Sequence, residues 1–530
     1  MPKDSITYQN SGYFNTLIND YLDQKRNLDS LYHRFPTIEN FAKQITEKQA
    51  SFNNAHRKAL VSVLENQYQN LLTSEVTKQN ILSLSSLDTF TVTTGHQLNI
   101  FTGPLYFLYK IISTINLTKE LKVKHPAYNF VPIYWMATED HDFEEINYFT
   151  FKGKKFRWNK ETSGPVGRLS TEGLKDVFDV FSKEIGTSTN ANKIKKLFDE
   201  AYNKGYSLAE ATRFLVNELF GKYGLVILDG DSRDLKKEFS PYVQDELLHQ
   251  KSNKAVLTTI QQLKSYSIQV NPREINLFYM KDNLRERIIL KNETYKINNT
   301  NIQFSKTEIL SELENHPENF SPNVIMRPLY QEIILPNLCY IGGGGEISYW
   351  LELYSFFNEV KVTFPILLLR NSALLATEKQ TKKLDKLGLS WKDLFMKTDD
   401  LINERVKQIS EFPIDLSTHK SQLKAQFDYL KTIAHKTDKS FIGAVKAQEA
   451  KQIKGLENLE KRLLKAQKRK HTDELKRIID LQNQLFPQGG LQERKANFSE
   501  FYLNYGDTVI EKLIHNLKPL ENKFNCITFS

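Results

Sequence analysis

One stretch, residues 91–147, constrains the fold of this chain more than any other. It reads as an apolar strand with a polar, glycine-containing turn, a helical run, a second apolar strand and an acidic loop. This order predicts one β-α-β unit, with its helix from about Leu105 to Leu121. Because ligands bind at the carboxyl ends of parallel strands, the two polar clusters predict a site there.

The first polar cluster follows the first predicted strand and extends to the start of the helix. Backbone N–H groups in such a strand-to-helix turn suit an anionic ligand, so we interpret these residues as ligand contacts. A capped turn with a solvated histidine is the alternative. The candidate residues are Thr94, Gly95, His96, Gln97, Thr102 and Gly103.

The second cluster, Glu139, Asp140, His141 and Asp142, follows the second strand. On an extended strand end, Asp140 and Asp142 would share one side and Glu139 and His141 the other. One side would hold an ammonium group, and His141 is a candidate general base. The spacing differs from the His-Glu-x-x-His zinc pattern, and we predict no metal here. A solvated acidic loop is the alternative.

A third cluster begins where another apolar strand ends in consecutive glycines and opens into a helix. The loop is not a P-loop, because no Lys-Ser/Thr follows, and it is not Gly-x-Gly-x-x-Gly. We interpret it as a backbone loop that approaches a ligand closely. Its candidate residues are Gly342, Gly343, Gly344, Gly345, Glu346 and Tyr349.

Further candidates lie outside these clusters. Arg327 and Arg370 could hold carboxylates in a bidentate manner, or could belong to structural ion pairs. Gln492, Glu493 and Arg494 are interpreted as a cap on the pocket or a brace for the helical arm. Cys339 lies inside an apolar run and is interpreted as a small buried hydrophobic residue.

Residues 390–485 are polar, lysine-rich and helical. Leu423, Phe427 and Leu430 recur at steps of four and three, and a similar seam continues to Leu485 with a break near Lys470. This pattern predicts a long antiparallel coiled-coil hairpin. Its thin apolar seam predicts pairing with a second copy as a homodimer. We interpret its basic residues as a solvated helix face and do not favour nucleic acid as a partner.

The remaining segments complete the predicted organisation, which is α/β. The predicted parts are N-terminal helices packed on the core at 1–90, the first half of the core at 91–147, a first insertion at 148–222, a core strand and helix at 223–264, a second, β-rich insertion at 265–320, the second half of the core at 321–389, the coiled-coil hairpin at 390–485, and a segment returning to the core at 486–530.

Composition narrows the function class. The formal charge of +9 over 530 residues suits anionic ligands without predicting nucleic-acid binding. With two cysteines, the chain is neither a disulfide scaffold nor a multi-cysteine zinc module. The first residues lack a signal-peptide core, and no run of about 18 apolar residues predicts a membrane span. We therefore expect a cytoplasmic protein.

Six motifs together resemble the family of bacillithiol biosynthesis cysteine-adding enzymes, and their order covers most of the chain from about residue 90 to 500. One departure is His96, where the family commonly has glutamine. The motifs are Thr94-Gly-His-Gln, Phe101-Thr-Gly-Pro-Leu-Tyr, Trp135-Met-Ala-Thr-Glu-Asp-His-Asp-Phe-Glu-Glu-Ile-Asn, Ser321-Pro-Asn-Val through Arg327-Pro, Gly342-Gly-Gly-Gly-Glu-Ile-Ser-Tyr-Trp and Leu485-Phe-Pro-Gln-Gly-Gly-Leu-Gln-Glu-Arg.

The resemblance implies a Rossmann-like core related to class I aminoacyl-tRNA synthetases, with insertions and a coiled coil that pairs subunits. It also implies a ligase that joins cysteine to glucosaminyl malate. The carboxyl group of cysteine must be activated before an amide can form. We favour ATP or another adenine nucleotide as the activating cofactor, and the identity of the cofactor stays open. A nucleotidyl-transferring or tRNA-binding enzyme and a non-catalytic coiled-coil scaffold are the alternatives.

Overall fold

The computed structural model describes residues 4–530, so residues 1–3 of the predicted N-terminal helical segment lie outside the described residues. The described chain divides into two compact units. The first contains the residues before Asn10, together with Tyr13–Leu374 and Leu491–Ile527. The second contains Asn10–Gly12, Leu375–Gly490 and Thr528–Ser530.

The strands lie mostly in the first unit. In chain order they are β1 Asp4–Thr7, β2 Thr89–His96, β3 Asn129–Met136, β4 Tyr148–Phe151, β5 Lys154–Arg157, β6 Val226–Asp229, β7 Leu277–Lys281, β8 Leu284–Lys291, β9 Thr294–Ile297, β10 Gln303–Phe304, β11 Phe320–Pro322, β12 Asn337–Gly342, β13 Ile366–Leu369, β14 Ser372–Thr377 and β15 Lys523–Phe529.

The helices occur in both units. They are α1 Tyr8–Ser11, α2 Thr16–Leu22, α3 Ile38–Ser51, α4 His56–Tyr68, α5 Glu75–Ser83, α6 Tyr106–Lys124, α7 Phe143–Ile146, α8 Leu174–Glu184, α9 Thr189–Tyr202, α10 Leu208–Phe220, α11 Arg233–His249, α12 Lys251–Gln262, α13 Lys306–Asn315, α14 Met326–Ile334, α15 Gly344–Leu351, α16 Tyr354–Glu359, α17 Glu378–Lys386, α18 Trp391–Leu394, α19 Thr398–Ile409, α20 Ser417–Ala434, α21 Lys439–Lys470, α22 Thr472–Leu485, α23 Ser499–Tyr505 and α24 Thr508–Asn516.

A five-stranded parallel sheet forms the centre of the first unit, in the order β13-β12-β2-β3-β6. Its strands are buried on both faces because helices cover both sides, as is typical of parallel sheets. Phe90 and Val92 of β2 enter the main core cluster. On the opposite face of β2, Thr91 and Thr93 donate hydrogen bonds to the Oδ1 atom of Asn337. The predicted α/β fold with a Rossmann-like sheet is confirmed.

The register of the sheet aligns the ends of its central strands. His96 pairs with Met136, and Met136 pairs with Asp229. Gly342 ends the neighbouring strand β12. The polar segments that follow β2, β3, β6 and β12 therefore emerge at one edge of the sheet, as parallel strands dictate.

The two predicted insertions differ in character. In the first, a short β4-β5 hairpin precedes the helices α8, α9 and α10. In the second, β7 to β10 form an antiparallel meander that β11 completes, in the order β10-β9-β8-β7-β11. At the end of the first unit, α23 and α24 precede β15, which pairs antiparallel with β1.

The second unit contains the helical hairpin. Helices α20 and α21 pack through Phe427, Ala434 and Val445, and Lys431 forms an ion pair with Glu449 at 2.6 Å. Asp438 caps α21 at the tip by accepting hydrogen bonds from two backbone N–H groups. The seam breaks at His471, between α21 and α22. Residues 390–416 hold the shorter helices α18 and α19, so the long hairpin begins later than the predicted segment.

A membrane span requires a helix that is both long and apolar. Within residues 4–530, none combines the length and the apolar character needed to cross a lipid bilayer.

Candidate active site

A cavity of about 780 Å³ lies in the first unit, where the polar segments after β2, β3 and β12 meet strands of the second insertion. The structure therefore brings the three predicted clusters together around one space. The predicted residues that line it are Gly95, His96, Gln97, Glu139, Asp140, His141, Arg327, Gly343, Gly344, Gly345, Glu346, Tyr349, Arg370 and Arg494.

Six predicted residues do not line the cavity: Thr94, Thr102, Gly103, Asp142, Gly342 and Gln492. Thr94 donates its hydroxyl to the carbonyl oxygen of Ile341 on the next strand, so it stabilises the sheet. The carbonyl oxygen of Gly103 accepts a hydrogen bond from the buried Asn497 side chain. Thr94 and Gly103 therefore stabilise the backbone around the site and do not line the cavity.

The acidic loop differs from the extended strand that we expected. β3 already ends at Met136, and residues 137–142 turn. As a result Glu139, Asp140 and His141 all line the cavity, whereas Asp142 precedes the short helix α7. The expected separation onto opposite sides is therefore wrong, because strand alternation ends with the strand.

Gln97 connects the first two clusters. Its side-chain amide donates hydrogen bonds to Asp140 Oδ2 at 3.0 Å and to Glu145 Oε2 at 2.7 Å. Asp140 Oδ1 in turn accepts the backbone N–H of His141 at 2.8 Å. The result is an acidic corner, formed by Gln97, Asp140 and Glu145, that suits an ammonium or amine group.

A buried lysine organises the glycine loop. Lys110 of α6 contacts Glu346 Oε2 at 2.5 Å and donates to the carbonyl oxygen of Gly95 at 2.7 Å. Glu346 also accepts from the Gly343 N–H and from the Tyr340 hydroxyl. Burial raises the pKa of Glu346, but Lys110 and these hydrogen bonds outweigh it, so the net pKa lies below its ordinary value. Lys110 was missed, although a lysine within an apolar helix is a detectable signal.

Arg370 has a structural partner of its own. Its Nη2 donates to Glu493 Oε1 at 2.7 Å, and both side chains are almost completely buried. Its Nη1 donates to Asn371 and Ser372. Its Nε is buried without a hydrogen-bond partner among residues 4–530. The Gln-Glu-Arg motif thus braces Arg370 through Glu493, while Arg494 reaches the cavity itself.

Three arginines of the second insertion line the cavity and were not predicted: Arg273, Arg285 and Arg287. Arg285 donates to Ser321, to the carbonyl oxygen of Pro322 and to His141. The side chains of Arg273 and Arg287 have no ion-pair partner in the part of the chain that the structure describes. Seven lysines and arginines line the cavity against four acidic residues, so it favours anions.

Glu139, which lines the cavity, also belongs to a buried ionic cluster. It pairs with Lys236, which also lies 3.6 Å from Asp231. Burial raises the pKa of Glu139 despite the nearby lysine. Arg168 forms a bidentate pair with Asp231. We therefore interpret Glu139 chiefly as a member of this cluster.

Among residues 4–530, no group of three or more His, Cys, Asp or Glu side chains is arranged to hold a metal ion. Cys339 is fully buried, and burial raises the pKa of its thiol well above the ordinary value. The residues that line the cavity offer carboxylates, guanidinium groups and the backbone of the glycine loop.

The parallel sheet and the charged cavity at the carboxyl ends of its strands define a Rossmann-like α/β protein with a candidate enzyme site. The family model "Bacillithiol biosynthesis BshC, N-terminal Rossmann-like domain" matches residues 1–371. The model "Bacillithiol biosynthesis BshC, C-terminal coiled-coil domain" matches residues 373–529. The chain belongs to the BshC family, which supports a role in bacillithiol biosynthesis.

Relatives match along the whole chain. A protein of Flavobacterium johnsoniae is 67% identical over 528 residues, covering 100% of both chains. One of Flavobacterium psychrophilum is 62% identical and covers 99% of both. One of Christiangramia forsetii is 58% identical over 100% of this chain and 99% of its own. Each is named "Putative cysteine ligase BshC".

Proposed function

We propose that this protein is a ligase that joins the carboxyl group of L-cysteine to the amine of glucosaminyl malate by an amide bond. Membership of the BshC family and the names of the relatives support a cysteine ligase. The observation that carries the proposal is one cavity of about 780 Å³ that holds both an acidic corner and several arginines. Such a cavity suits a substrate pair with both amines and carboxylates.

The charge distribution suggests where each substrate part binds. The acidic corner of Asp140, Glu145 and Gln97 suits an amine. The malyl carboxylates suit Arg273 and Arg287, which have no carboxylate partner within residues 4–530. A guanidinium group binds a carboxylate through two parallel hydrogen bonds. Arg370, a sequence candidate for a carboxylate contact, is not part of this assignment, because Glu493 is its carboxylate partner.

The reaction needs one bond made and one broken. The amine lone pair attacks the activated carboxyl carbon of cysteine, a C–N bond forms, and the bond from that carbon to its leaving oxygen breaks. The amine nitrogen releases a proton, which we assign to Asp140. Asp140 accepts hydrogen bonds from Gln97 and from its own loop, so its carboxylate is held in place at the cavity wall.

We propose an adenine nucleotide as the activating cofactor, with its phosphates at the glycine loop. The glycine loop begins α15, where backbone N–H groups favour anions. The buried Nε of Arg370, which has no hydrogen-bond partner within residues 4–530, offers a further donor near this loop, since a Cβ atom on Gly343 would lie 3.7 Å from it. When bound, a nucleotide would supply the energy that activates the cysteine carboxyl.

The test is direct synthesis. Purified protein is mixed with cysteine, glucosaminyl malate and each nucleoside triphosphate, and the amide product is measured by mass spectrometry. A parallel reaction supplies cysteine as a thioester, which needs no activation. Product with ATP supports the whole proposal. Product from the thioester reaction alone would rule out activation by a nucleotide but would still support amide formation by this protein. No product above the uncatalysed rate in either reaction overturns the proposal.

We also propose that two copies pair through the second unit. Tyr429, Leu430 and Ile433 on α20 and Phe441 and Leu459 on α21 are apolar but exposed. Exposed apolar residues along a helical hairpin favour an interaction surface. Sedimentation velocity should show a dimer that Leu430→Lys with Ile433→Lys dissociates. Leu72→Lys, at an exposed leucine of the first unit, is the control and should leave the dimer intact. A monomeric wild-type protein at all concentrations contradicts the pairing.

A further inference from the structure

The imidazole of His96 is held in one orientation at the cavity wall. Its Nδ1 lies 3.0 Å from the backbone carbonyl oxygen of Gln97. One ring face stacks on Tyr106 with the centroids 5.3 Å apart, and Phe107 packs against it in T-shaped geometry at 5.0 Å. The residue is only 8% exposed. Packing on these sides leaves the ring little freedom to rotate.

These contacts decide which ring nitrogen carries the proton. A carbonyl oxygen can only accept, so Nδ1 of His96 donates and Nε2 has the lone pair. Nε2 is buried and has no hydrogen-bond partner among residues 4–530. Leaving a buried acceptor without a hydrogen bond is unfavourable, so this lone pair is available to a donor from outside the chain.

The surroundings keep the ring neutral. Burial lowers the pKa of His96 to about 3, and the positive charge of Lys110 acts in the same direction. Glu346 opposes this effect, but it is itself paired with Lys110 at 2.5 Å. At neutral pH the side chain therefore presents a lone pair at Nε2 and no second N–H group.

We propose that Nε2 of His96 accepts a hydrogen bond from a hydroxyl or amine group of a substrate, and that His96 does not contact a phosphate or carboxylate. A lone pair repels the oxygens of an anion, whereas a hydroxyl or amine donates to it. The list of substrates that could supply this donor rests on the proposed function. It replaces our expectation that His96, like the glycine loop, handles anionic groups.

Binding measurements test the proposal without requiring turnover. Cysteine, glucosaminyl malate, adenosine, ATP and inorganic triphosphate are each titrated by calorimetry into full-length wild-type protein, His96→Leu and His96→Gln. Loss of one hydrogen bond should weaken one donor-bearing compound about tenfold in His96→Leu. His96→Gln, which keeps an acceptor, should bind that compound within about threefold of wild type.

The separate compounds identify the source of the donor. A loss confined to glucosaminyl malate, to cysteine, or to adenosine and ATP together supports the inference and names the substrate. A comparable loss for inorganic triphosphate shows a phosphate contact and overturns it. Unchanged affinity for every compound that binds wild-type protein also overturns it.

A spectroscopic measurement covers the case in which His96→Leu does not fold. In ¹⁵N-histidine spectra of wild-type protein, the resonances absent from His96→Gln belong to His96. They should show a protonated Nδ1 and an unprotonated Nε2 from about pH 5 to 8. The Nε2 resonance should move when the donor-bearing substrate is added. A protonated Nε2, or no movement with any substrate, overturns the inference. If no amide product forms but these results hold, only the proposed function fails.

Discussion

Arg285 donates a hydrogen bond from Nη1 to Nδ1 of His141 across 2.6 Å. A guanidinium group can only donate, so Nδ1 is the acceptor and the neutral imidazole carries its proton on Nε2. Burial and the charge of Arg285 both lower the pKa of His141. The other ring nitrogen, Nε2, carries that proton and therefore lacks the lone pair that a general base needs. Asp140 is the better candidate for that role.

Asp140→Asn should slow amide formation by about 10²- to 10⁴-fold, the range expected for loss of a general base. His141→Gln should slow it by less than about tenfold. The rate is measured in single-turnover reactions with saturating substrates. Asp142→Asn, the same change two residues away but outside the cavity, is the matched control and should behave as wild type. Equal losses in Asp140→Asn and His141→Gln would contradict the assignment.

Arg287→Gln and Arg273→Gln should each raise the KM for glucosaminyl malate by about 10- to 100-fold, because each removes a bidentate carboxylate partner. Their kcat values should change less. Arg26→Gln is the control, because it makes the same charge change at an exposed arginine outside the cavity. A kcat loss without a KM change would show that these arginines do not bind the malyl group.

Glu493→Gln should destabilise the first unit by about 3–5 kcal/mol, because it leaves the buried Arg370 charge without a carboxylate. Arg370→Met with Glu493→Leu should recover part of that loss, since it removes both charges. Urea unfolding measures the change. The exposed Lys154–Glu184 pair is the control, and Glu184→Gln should cost less than about 1 kcal/mol. If the double variant is no more stable than Glu493→Gln, the uncompensated charge of Arg370 is not the cause of the lost stability.

Two glycines of the same loop, Gly342 and Gly345, should differ in how far substitution by alanine changes stability. A Cβ atom on Gly342 would lie 2.9 Å from Glu346 Cβ and 3.0 Å from Tyr340 Cε1, so Gly342→Ala should destabilise by about 1–3 kcal/mol. On Gly345 the nearest atom would be Gln269 Oε1 at 3.9 Å, so Gly345→Ala should change stability by less than about 1 kcal/mol. Thermal unfolding of both variants checks this, and similar melting temperatures would refute it.

Glu352 should make stability pH-dependent. It accepts the backbone N–H groups of Gln269 and Val270, residues of a loop beside the cavity. Burial raises its pKa from 4.5 to about 7 despite these hydrogen bonds. The folded state then binds the proton more tightly than the unfolded chain, and the contribution to the free energy of unfolding is full below pH 4.5.

This contribution should fall as the pH rises from 4.5 to about 7. Glu352→Gln should remove that part of the pH dependence, measured by urea unfolding at several pH values. Glu359→Gln, at an exposed glutamate on the adjacent helix, is the control. A wild-type profile that Glu352→Gln leaves unchanged would show that Glu352 does not titrate in this range.

Much of the fold could be predicted because its signals are local. The apolar stretches that became β2 and β3, and the helix between them, occupy nearly the predicted residues. The steps of four and three at Leu423 and Phe427 correspond to the packed seam of the hairpin. The placement of Thr94 could not be predicted, since its hydroxyl binds a strand about 250 residues later in the chain.

The sequence by itself determined the β-α-β unit, the glycine loop, the acidic loop and the coiled coil, because strand periodicity, helix periodicity and turn chemistry act over a few residues. Only the tertiary structure decided that Arg285 contacts His141, that Glu493 pairs with Arg370, and that the second insertion supplies arginines to the cavity. Such pairings depend on how distant segments pack, and no local pattern encodes them.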